Sequence, residues 1–242
     1  MKLFVDAGNS RVKWGLWDGR WVRQDSLPTV DVARLDEIWS ALPTPAQVFA
    51  CSVAAATVRT SLDAWAGARG VGVRWIGSSA EQLGVRNGYR DPRQLGADRW
   101  VALIAARQIV PGAALVVNAG TAVTVDALTG AGEFLGGLIL PGSRLMAEAL
   151  ALGTAGLPSA AGEFQDFPSR TTDAIATGAI HAICGAVSRL HRTLCSREGA
   201  AEIVLSGGDA QVIETHLDLP SRVVPNIVLE GLRLIASKER SP

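Results

Sequence analysis

Short apolar runs separated by polar, turn-forming residues are the main pattern of this sequence, and they occur in the same order twice. Near the start, residues 2–5, 12–17 and 21–24 are rich in β-branched and aromatic residues and predict a meander of three antiparallel strands. The spacing of apolar positions then predicts a helix at 32–42, a strand at 47–51, a helix at 54–66 and a strand at 71–76. This order indicates an α/β domain that begins with an antiparallel meander.

The second half of the chain predicts the same succession, beginning after a helix at 97–109. Its meander is expected at 113–117, 122–128 and 134–140. The remaining predicted elements are helices at 143–152 and 172–195, a strand at 202–205, a helix ending at 216, a strand at 222–224 and a helix at 226–237. The repetition indicates a duplicated unit, with domains at 1–110 and 111–242.

The long helix at 172–195 has one apolar stripe with alternating steps of four and three residues. The stripe consists of Ala176, Ile180, Ile183, Val187, Leu190 and Leu194. Such a stripe either packs in the core or contributes to a subunit interface, and the pattern leaves both open. Before it, residues 153–168 are rich in Gly, Ala, Pro and Ser, which favours a mobile loop or lid. Residues 238–242 are expected to fray.

The amino-acid composition of the chain limits the classes of function that it can have. The formal net charge of the 242 residues is zero, so no electrostatic field attracts nucleic acid or an anionic membrane, and a small-molecule substrate is favoured. No long apolar segment follows a basic start, which predicts no signal peptide, no transmembrane helix and a cytoplasmic location. The three cysteines are widely spaced and odd in number, which argues against a disulfide framework or a zinc site.

The turn between the first two strands carries the first candidate chemistry. Backbone N–H groups in a glycine-containing turn bind phosphate oxygens, Lys13 adds positive charge, and the Asp6 carboxylate can hold hydrated Mg²⁺ beside the phosphates. An acid followed by Gly and Asn also begins many ordinary hairpins, so this turn alone leaves both interpretations open. The candidate nucleotide clamp comprises Asp6, Ala7, Gly8, Asn9, Ser10, Arg11, Val12 and Lys13.

A second turn repeats the first about half a chain later. Asn118, Ala119 and Gly120 follow an apolar strand as Asp6, Ala7 and Gly8 do, with Thr121 as the next polar side chain. A third glycine turn, 206–209, follows the strand-like run 201–205. Two similar hairpins indicate a phosphate held between two halves. A turn hydroxyl bonded to its own backbone is the alternative role of Thr121.

A polar loop, residues 89–99, leads into the helix at 97–109, so Asp98 and Arg99 lie in its first turn. On position alone, Asp98 stabilises the helix dipole and Arg99 is a surface partner; catalysis is the other interpretation. The three histidines lack the i, i+4 spacing of a metal pair and are expected to be structural or surface residues; they are His181, His191 and His216.

Five segments in order resemble the type III pantothenate kinases of the actin, hexokinase and Hsp70 ATPase superfamily. They are Asp6-Ala-Gly-Asn-Ser10, Gly96-Ala-Asp-Arg99, Gly120-Thr-Ala-Val-Thr124, Gly136-Gly-Leu-Ile-Leu-Pro-Gly142 and Thr171-Thr-Asp-Ala-Ile175. The resemblance covers nearly the whole chain. It implies an α/β, duplicated RNase H-like fold with nucleotide bound between two similar halves. The implied activity is ATP-dependent phosphorylation of pantothenate to 4′-phosphopantothenate, the first step of coenzyme A biosynthesis.

The resemblance also implies roles for single residues. Asp98 matches the catalytic base, and the first turn together with Thr121 matches the ATP contacts. Thr171 matches a substrate contact that the family supplies from the neighbouring subunit, which implies a homodimer with a shared active site. The residues that match the remaining pantothenate contacts are Tyr89, Gly96, Ala97 and Arg99.

One position departs from the family pattern. Many relatives have aspartate where Asn118 stands and use it to hold K⁺ or NH₄⁺. Asparagine lacks that charge, so binding of a monovalent cation is in doubt. Mg²⁺ at Asp6 remains expected.

The sequence has no P-loop, no Gly-x-Gly-x-x-Gly fingerprint and no Gly-x-Ser-x-Gly elbow. These absences exclude a P-loop kinase, a dinucleotide-dependent oxidoreductase and a serine hydrolase. The alternatives are an accessory transcriptional regulator that kept the fold, or another small-molecule kinase of the superfamily.

Overall fold

The structure is a computed structural model that describes residues 1–158 and 161–239. The strands are β1 (Lys2–Ala7), β2 (Arg11–Trp17), β3 (Trp21–Pro28), β4 (Gln47–Ser52), β5 (Val73–Trp75), β6 (Glu81–Gln82), β7 (Val85–Asn87), β8 (Ala113–Ala119), β9 (Ala122–Leu128), β10 (Glu133–Pro141), β11 (Ala201–Ser206) and β12 (Ser221–Val223). The α-helices are α1 (Leu35–Ile38), α2 (Ala56–Gly67), α3 (Ala97–Ile109), α4 (Ser143–Gly153), α5 (Thr171–Glu198), α6 (Ala210–His216) and α7 (Ile227–Lys238). Two 3-10 helices span Thr29–Arg34 and Pro92–Gln94.

The chain forms two compact units. The first contains Met1–Ala105 and the described part of Asn226–Pro242, and the second is Ala106–Pro225. Helix α7 packs on β1, β2 and β4 of the first unit, although the boundary expected at 110 assigned it to the second half. The division of the chain into two RNase H-like domains at that boundary stays a prediction.

The first unit has a sheet in the order β3-β2-β1-β4-β5, in which β1 is antiparallel to β2 and parallel to β4. Apolar residues on one face of these strands pack against α2, because successive side chains of a strand point to opposite faces. Three buried tryptophans meet edge to face in this core: Trp14 contacts Trp39, which contacts Trp65. The core therefore holds the end of β1, and the turn after it, in place.

The second unit repeats this arrangement. Its strands run in the order β10-β9-β8-β11-β12, and β8 is antiparallel to β9 and parallel to β11. The expected α/β, duplicated RNase H-like fold is therefore confirmed. On α5, Ile180, Ile183 and Val187 are buried in the core of this unit, so the core interpretation of the apolar stripe is confirmed.

Most predicted elements are present, but the helix expected at 32–42 is wrong. The segment forms the 3-10 helix Thr29–Arg34 and one α-helical turn, α1. The backbone N–H of Thr29 donates to Ser10 O at 3.0 Å, which ties the segment to the preceding hairpin. Val32 in the 3-10 helix and Leu35 at the start of α1 are buried.

A hairpin that no prediction anticipated, β6 and β7, lies just before the polar loop. Its turn residues Leu83 and Gly84 have φ of 49° and 79°, the backbone of a two-residue hairpin with both residues in the left-handed region. Leucine is uncommon there, whereas Asn-Gly is the usual signal, so no local pattern clearly predicted this turn.

Other expectations concern loops, cysteines and membranes. Residues 154–158 and 161–170 contain no helix or strand, while 159 and 160, part of the expected lid, and 240–242, part of the expected frayed end, lie outside the described residues. The three cysteines are free thiols, two of them buried. No helix within 1–158 and 161–239 is long and apolar enough to cross a membrane.

Candidate active site

The turn between β1 and β2 is small and braced from one side. The N–H of Gly8 donates to Arg11 O at 3.0 Å, which closes the turn and leaves Asn9 and Ser10 exposed at its tip. The hydroxyl of Thr29 donates to Gly8 O at 2.8 Å and so fixes the turn from the following 3-10 helix. The exposed tip can therefore present backbone N–H groups and a hydroxyl to an anion.

Asp6 lies at the end of β1 between two neighbouring strands. Lys13 is its cross-strand partner on β2, and Cys51 is its partner on β4, with Sγ 3.8 Å from Asp6 Oδ1. Only 8% of Asp6 is exposed. Burial raises the pKa of Asp6 to about 6; Lys13 opposes this shift, and the negative charge of Asp98 adds to it. A buried carboxylate in this state gains from a nearby cation.

Not every residue of the predicted clamp points to solvent. Ala7 and Val12 are buried in the core, so only their backbone can take part in binding. Arg11 is turned toward β3, where its Nη2 donates to Ser26 Oγ at 2.7 Å. The side chains at this end of β1 that can act on a ligand are therefore Asp6, Ser10 and Lys13, together with Asn9 at the tip.

The second turn is built from three loops of the second unit. Gly120 N donates to Ala122 O at 3.1 Å, and Gly142 N donates to Thr121 O at 2.8 Å. Gly207 has φ of 100°, and a Cβ there would lie 2.1 Å from Ala119 O, so only glycine allows the two turns to meet. The predicted glycine turns 120–121 and 206–209 are thus in contact, and Thr121 is exposed beside them.

Asn118 occupies the position in β8 that Asp6 occupies in β1. Its cross-strand partners are Thr124 on β9 and Ser206 on β11. Residues directly opposite in a sheet share a face, so the two side chains directly opposite Asn118 carry neutral hydroxyls. Within 1–158 and 161–239, no group of three or more His, Cys, Asp or Glu side chains could hold a metal ion.

Asp98 lies in the first turn of α3, which begins as predicted. Its Oδ1 accepts a hydrogen bond from Arg99 N at 2.8 Å. Burial raises the pKa of the half-buried Asp98 carboxyl, although this hydrogen bond and the charge of Arg99 lower it. A Cβ on Gly96 would lie 2.6 Å from Asp98 Oδ1, so glycine at 96 keeps room for the carboxylate. Asp98 is close enough to Asp6 for its negative charge to raise the pKa of Asp6.

Arg99 is buried, with 5% exposed, so the interpretation of Arg99 as a surface partner is wrong. Its Nη1 donates to the hydroxyl of Tyr89 at 3.0 Å, and its Cζ lies 5.8 Å from the centre of the Tyr89 ring. A guanidinium is the least costly cation to bury, because its charge is delocalised and weakly hydrated. The structure therefore brings Tyr89, Gly96, Ala97, Asp98 and Arg99 together at the start of α3.

Thr171 is the first residue of α5 and is exposed. It lines a cavity of about 620 Å³, otherwise formed by apolar residues of β10, α4 and α5 and by Leu157. None of the eleven residues of α4 is buried. Apolar side chains of β10 and α4 also remain exposed, among them Ile139 at 66% and Leu152 at 89%. Thr171 thus lies on an unusually apolar surface.

Comparison with known proteins decides the family. A family model described as type III pantothenate kinase matches residues 2–193. A type III pantothenate kinase from Aromatoleum aromaticum is 46% identical over 242 residues, which cover 99% of this chain and 99% of that protein. This chain belongs to the type III pantothenate kinase family. As a member of that family it is a kinase.

Two solved structures share the fold of this kinase. A Campylobacter jejuni protein with the provisional name Baf family transcriptional activator is 21% identical with a TM-score of 0.63, over 98% of each chain. A Sinorhizobium meliloti protein with the provisional name 2-dehydro-3-deoxygalactonokinase is 16% identical with a TM-score of 0.57, also over 98% of each chain. At these identities the likeness shows the fold alone and favours neither provisional activity for this chain.

Three residues around the candidate site were not predicted from the sequence. Thr29 braces the first turn, Cys51 contacts Asp6, and Asn87 holds the loop that carries Tyr89. Thr29 and Cys51 reach the site from β3–α1 and β4, so no local motif marked them. Asn87 had a usable signal, because an Asn-Gly pair at 87–88 marks a turn.

Proposed function

We propose that this protein transfers the terminal phosphoryl group of ATP to the hydroxyl of pantothenate, the first step of coenzyme A biosynthesis. The observation that carries the proposal is the arrangement at the start of α3, where the raised pKa of Asp98 and the buried guanidinium of Arg99 occur in adjacent residues. Phosphoryl transfer needs positioning and charge neutralisation more than covalent catalysis. A cytoplasmic location, where ATP is available, belongs to the same proposal.

Asp98 is the general base of the proposed reaction. A carboxylate whose pKa is raised by burial accepts a proton from an alcohol more readily than an exposed one does. Arg99 binds the carboxylate of pantothenate, for which its planar N–H groups are suited, while Tyr89 covers the substrate. Gly96 and Ala97 contribute backbone N–H groups at the N-terminal end of α3, which favours an anion. The start of α3 would thus contact both the hydroxyl and the carboxylate of pantothenate.

The ATP phosphates are proposed to lie on the two turns. The first turn contributes backbone N–H groups, Ser10 and Lys13, and the second contributes Thr121. Asp6 is the residue that would hold Mg²⁺, and its buried, partly protonated carboxyl fits a cation, since a positive charge offsets the burial that raises its pKa to about 6. Bound Mg²⁺ neutralises charge on the phosphates.

A coupled assay of ADP release tests the proposed function. The purified protein is given ATP and Mg²⁺ with pantothenate, a set of simple sugars or a set of short hydroxy acids, and the phosphorylated product is identified by mass spectrometry. Pantothenate-dependent ADP release with 4′-phosphopantothenate as the product is expected. Turnover of a sugar or another acid in its place would assign a different kinase activity to the same site.

We predict weak or absent activation by K⁺ or NH₄⁺ at the Asn118 position. A carboxylate about 4 Å from a monovalent cation contributes roughly 4 kcal/mol at an effective dielectric near 20, before desolvation is deducted, and asparagine lacks that charge. The neutral hydroxyls beside Asn118 do not replace it. Asn118→Asp should introduce or strengthen the dependence. Activity is measured against K⁺ at constant ionic strength; strong activation of the natural protein by millimolar K⁺ would contradict this prediction.

A homodimer with a shared site is part of the proposal. Thr171 is exposed beside an apolar cavity that β10 and α4 help to form, and Ile139 on β10 and Leu152 on α4 are also exposed. A second copy that covered this surface would remove apolar area from water. Because the stripe of α5 is buried in the core, the opposite side of the helix, with Ala174 and Gly178, is the part available to a partner.

Complementation between two inactive variants should reveal a shared site. If Asp98 and Thr171 in one site come from different subunits, a mixed dimer of Asp98→Asn and Thr171→Ala chains contains one intact site. Random exchange then restores about a quarter of the natural activity, since half of the dimers are mixed and half of their sites are intact. Exchange is followed by mass spectrometry of tagged chains. Complete exchange without recovered activity, with each variant impaired by itself, would refute sharing.

A further inference from the structure

Asn87 is a buried polar residue at the end of β7, just before the loop that carries Tyr89. Its exposed fraction is 8%. Its Nδ2 donates to Ser79 O at 3.2 Å and to Pro92 O at 3.1 Å, and its Oδ1 accepts from Tyr89 N at 3.1 Å. One carboxamide therefore joins three separate points of the backbone between 79 and 92.

The chemistry of these three bonds requires asparagine. A carboxamide has two N–H donors and one acceptor oxygen, and here both donors face carbonyl groups while the oxygen faces an N–H. Aspartate at 87 would keep the acceptor but present a second oxygen to the carbonyls of Ser79 and Pro92. Leucine would fill the volume and leave all three backbone groups without this partner, which is costly in a buried place.

The hairpin that carries Asn87 is itself anchored to α3. Val85 on β7 is fully buried, and Gln82 Oε1 on β6 accepts a hydrogen bond from Trp100 Nε1 at 3.1 Å. The N–H of Asn87 also donates to Ala80 O at 2.8 Å, which fixes its backbone. Asn87 is therefore held by the anchored β6–β7 hairpin. The loop that follows it has only the short 3-10 helix Pro92–Gln94 as regular structure.

The contacts continue from Asn87 to the proposed substrate site. Asn87 fixes the backbone of Tyr89, the hydroxyl of Tyr89 accepts from Arg99 Nη1, and Arg99 follows Asp98 at the start of α3. Two of these steps are hydrogen bonds of 3.0 and 3.1 Å. A displacement of Tyr89 would change the surroundings of the guanidinium without any direct contact between Asn87 and the substrate.

We propose that Asn87 is a positioning residue that sets the affinity for pantothenate by holding Tyr89 in place before the substrate binds. The inference rests on the proposed function. A loop that is ordered in advance binds more tightly, because binding does not have to supply the entropy of ordering it. Asn87 touches neither ATP contacts nor Asp98 in the contacts described above, so its effect falls on KM for pantothenate and not on kcat.

The kinetic test compares three variants with the natural protein. Asn87→Asp removes both donors, and Asn87→Ser is a milder second variant. The loss of one or two hydrogen bonds is expected to raise KM for pantothenate about ten- to thirtyfold, with kcat and KM for ATP within about twofold. Asn226→Asp is the matched control, because it removes an equivalent donor, Nδ2 to Gln24 Oε1 at 2.7 Å, at a place that the mechanism does not use. It should leave KM for pantothenate unchanged.

Tyr89 is the only tyrosine of the chain, which allows its position to be observed directly. Protein labelled with 3-fluorotyrosine should give one ¹⁹F resonance, displaced from that of the free amino acid. Asn87→Asp should move the resonance toward the free value, and Asn226→Asp should not. An unchanged resonance in Asn87→Asp would overturn the proposed hold on Tyr89, whatever the activity of the protein.

A double-mutant cycle tests whether Asn87 and Tyr89 act together. If Asn87 acts through Tyr89, the effect of Asn87→Asp on KM should largely disappear in a Tyr89→Phe background, since contacting residues are not additive. Full additivity would overturn the proposal, as would a normal KM in both Asn87 variants. Failure of the natural protein to phosphorylate pantothenate would instead contradict the proposed function, which the same assay shows separately.

Discussion

Replacing Asp98 by asparagine should lower kcat by about 10²–10⁴, the usual contribution of a general acid or base. The substitution keeps an oxygen that can accept the hydrogen bond from Arg99 N, so the start of α3 should stay folded. It removes the charge that would accept the proton of the pantothenate hydroxyl in the proposed reaction. KM for ATP should change little, because the proposed ATP contacts lie on the two turns and not on Asp98.

Steady-state kinetics with both substrates, together with thermal unfolding, measures this effect. The matched control is Asp36→Asn, which removes an equally negative side chain that forms an exposed ion pair with Arg69. That control should retain natural turnover, because exposed pairs contribute little to stability. Natural turnover in Asp98→Asn would exclude Asp98 as the base and favour its alternative role in the dipole of α3.

Replacing Asp6 by asparagine should lower kcat/KM by about 10²–10³ while it increases stability at neutral pH. The loss of activity follows from the loss of the charge that would hold Mg²⁺ near the phosphates. The gain in stability follows from the pKa. Burial raises the pKa of Asp6 from 3.8 to about 6, so ionising it in the folded protein costs free energy.

The sign of the pH dependence follows from the same shift. A group whose pKa is raised by folding contributes its full stability below its unfolded pKa, near 3.8, and loses that contribution as the pH rises through about 6. Asparagine has no such loss. Between pH 4 and 7, the free energy of unfolding of the variant should therefore rise relative to that of the natural protein. The increase should be at most about 3 kcal/mol, since one pKa unit corresponds to about 1.4 kcal/mol.

Chemical denaturation at several pH values, with and without Mg²⁺, measures both parts of this prediction. Mg²⁺ with a nonhydrolysable ATP analogue should stabilise the natural protein and have a much smaller effect on Asp6→Asn, because ligand binding to the folded state raises stability by mass action. A stability difference that stays constant from pH 4 to 7 would refute the raised pKa. Equal stabilisation of both proteins would remove Asp6 from the metal site.

Local patterns were sufficient for the repeated meanders and for α3. Strand-like runs of β-branched and aromatic residues, bounded by turns, specify strands whose pairing the intervening turn then sets, as for β1 with β2 and β8 with β9. The equivalence of Asp6 and Asn118 was visible because each follows an apolar strand and precedes a small residue and a glycine. The motif around Asp98 lies within one helical turn, so its order along the chain also specified its geometry.

Other features depended on partners distant in the sequence. The segment after β3 became a 3-10 helix because Thr29 bonds to the first turn, and its intrinsic helical pattern did not prevail. Arg99 looked like a surface residue at a helix start, yet the loop from β7 covers it. The β6–β7 turn has an unusual leucine in the left-handed region, a conformation that its surroundings impose.

The sequence by itself determined which residues could do chemistry: Asp6, Lys13, Asp98, Arg99 and Thr121 stand in short motifs whose spacing is readable along the chain. The tertiary structure alone decided how their charges behave. The pKa of Asp6 depends on its burial, on Lys13 and on Asp98, and the last of these lies 92 positions away in the sequence. Burial and Coulomb interactions depend on distance in space, which no local pattern of residues contains.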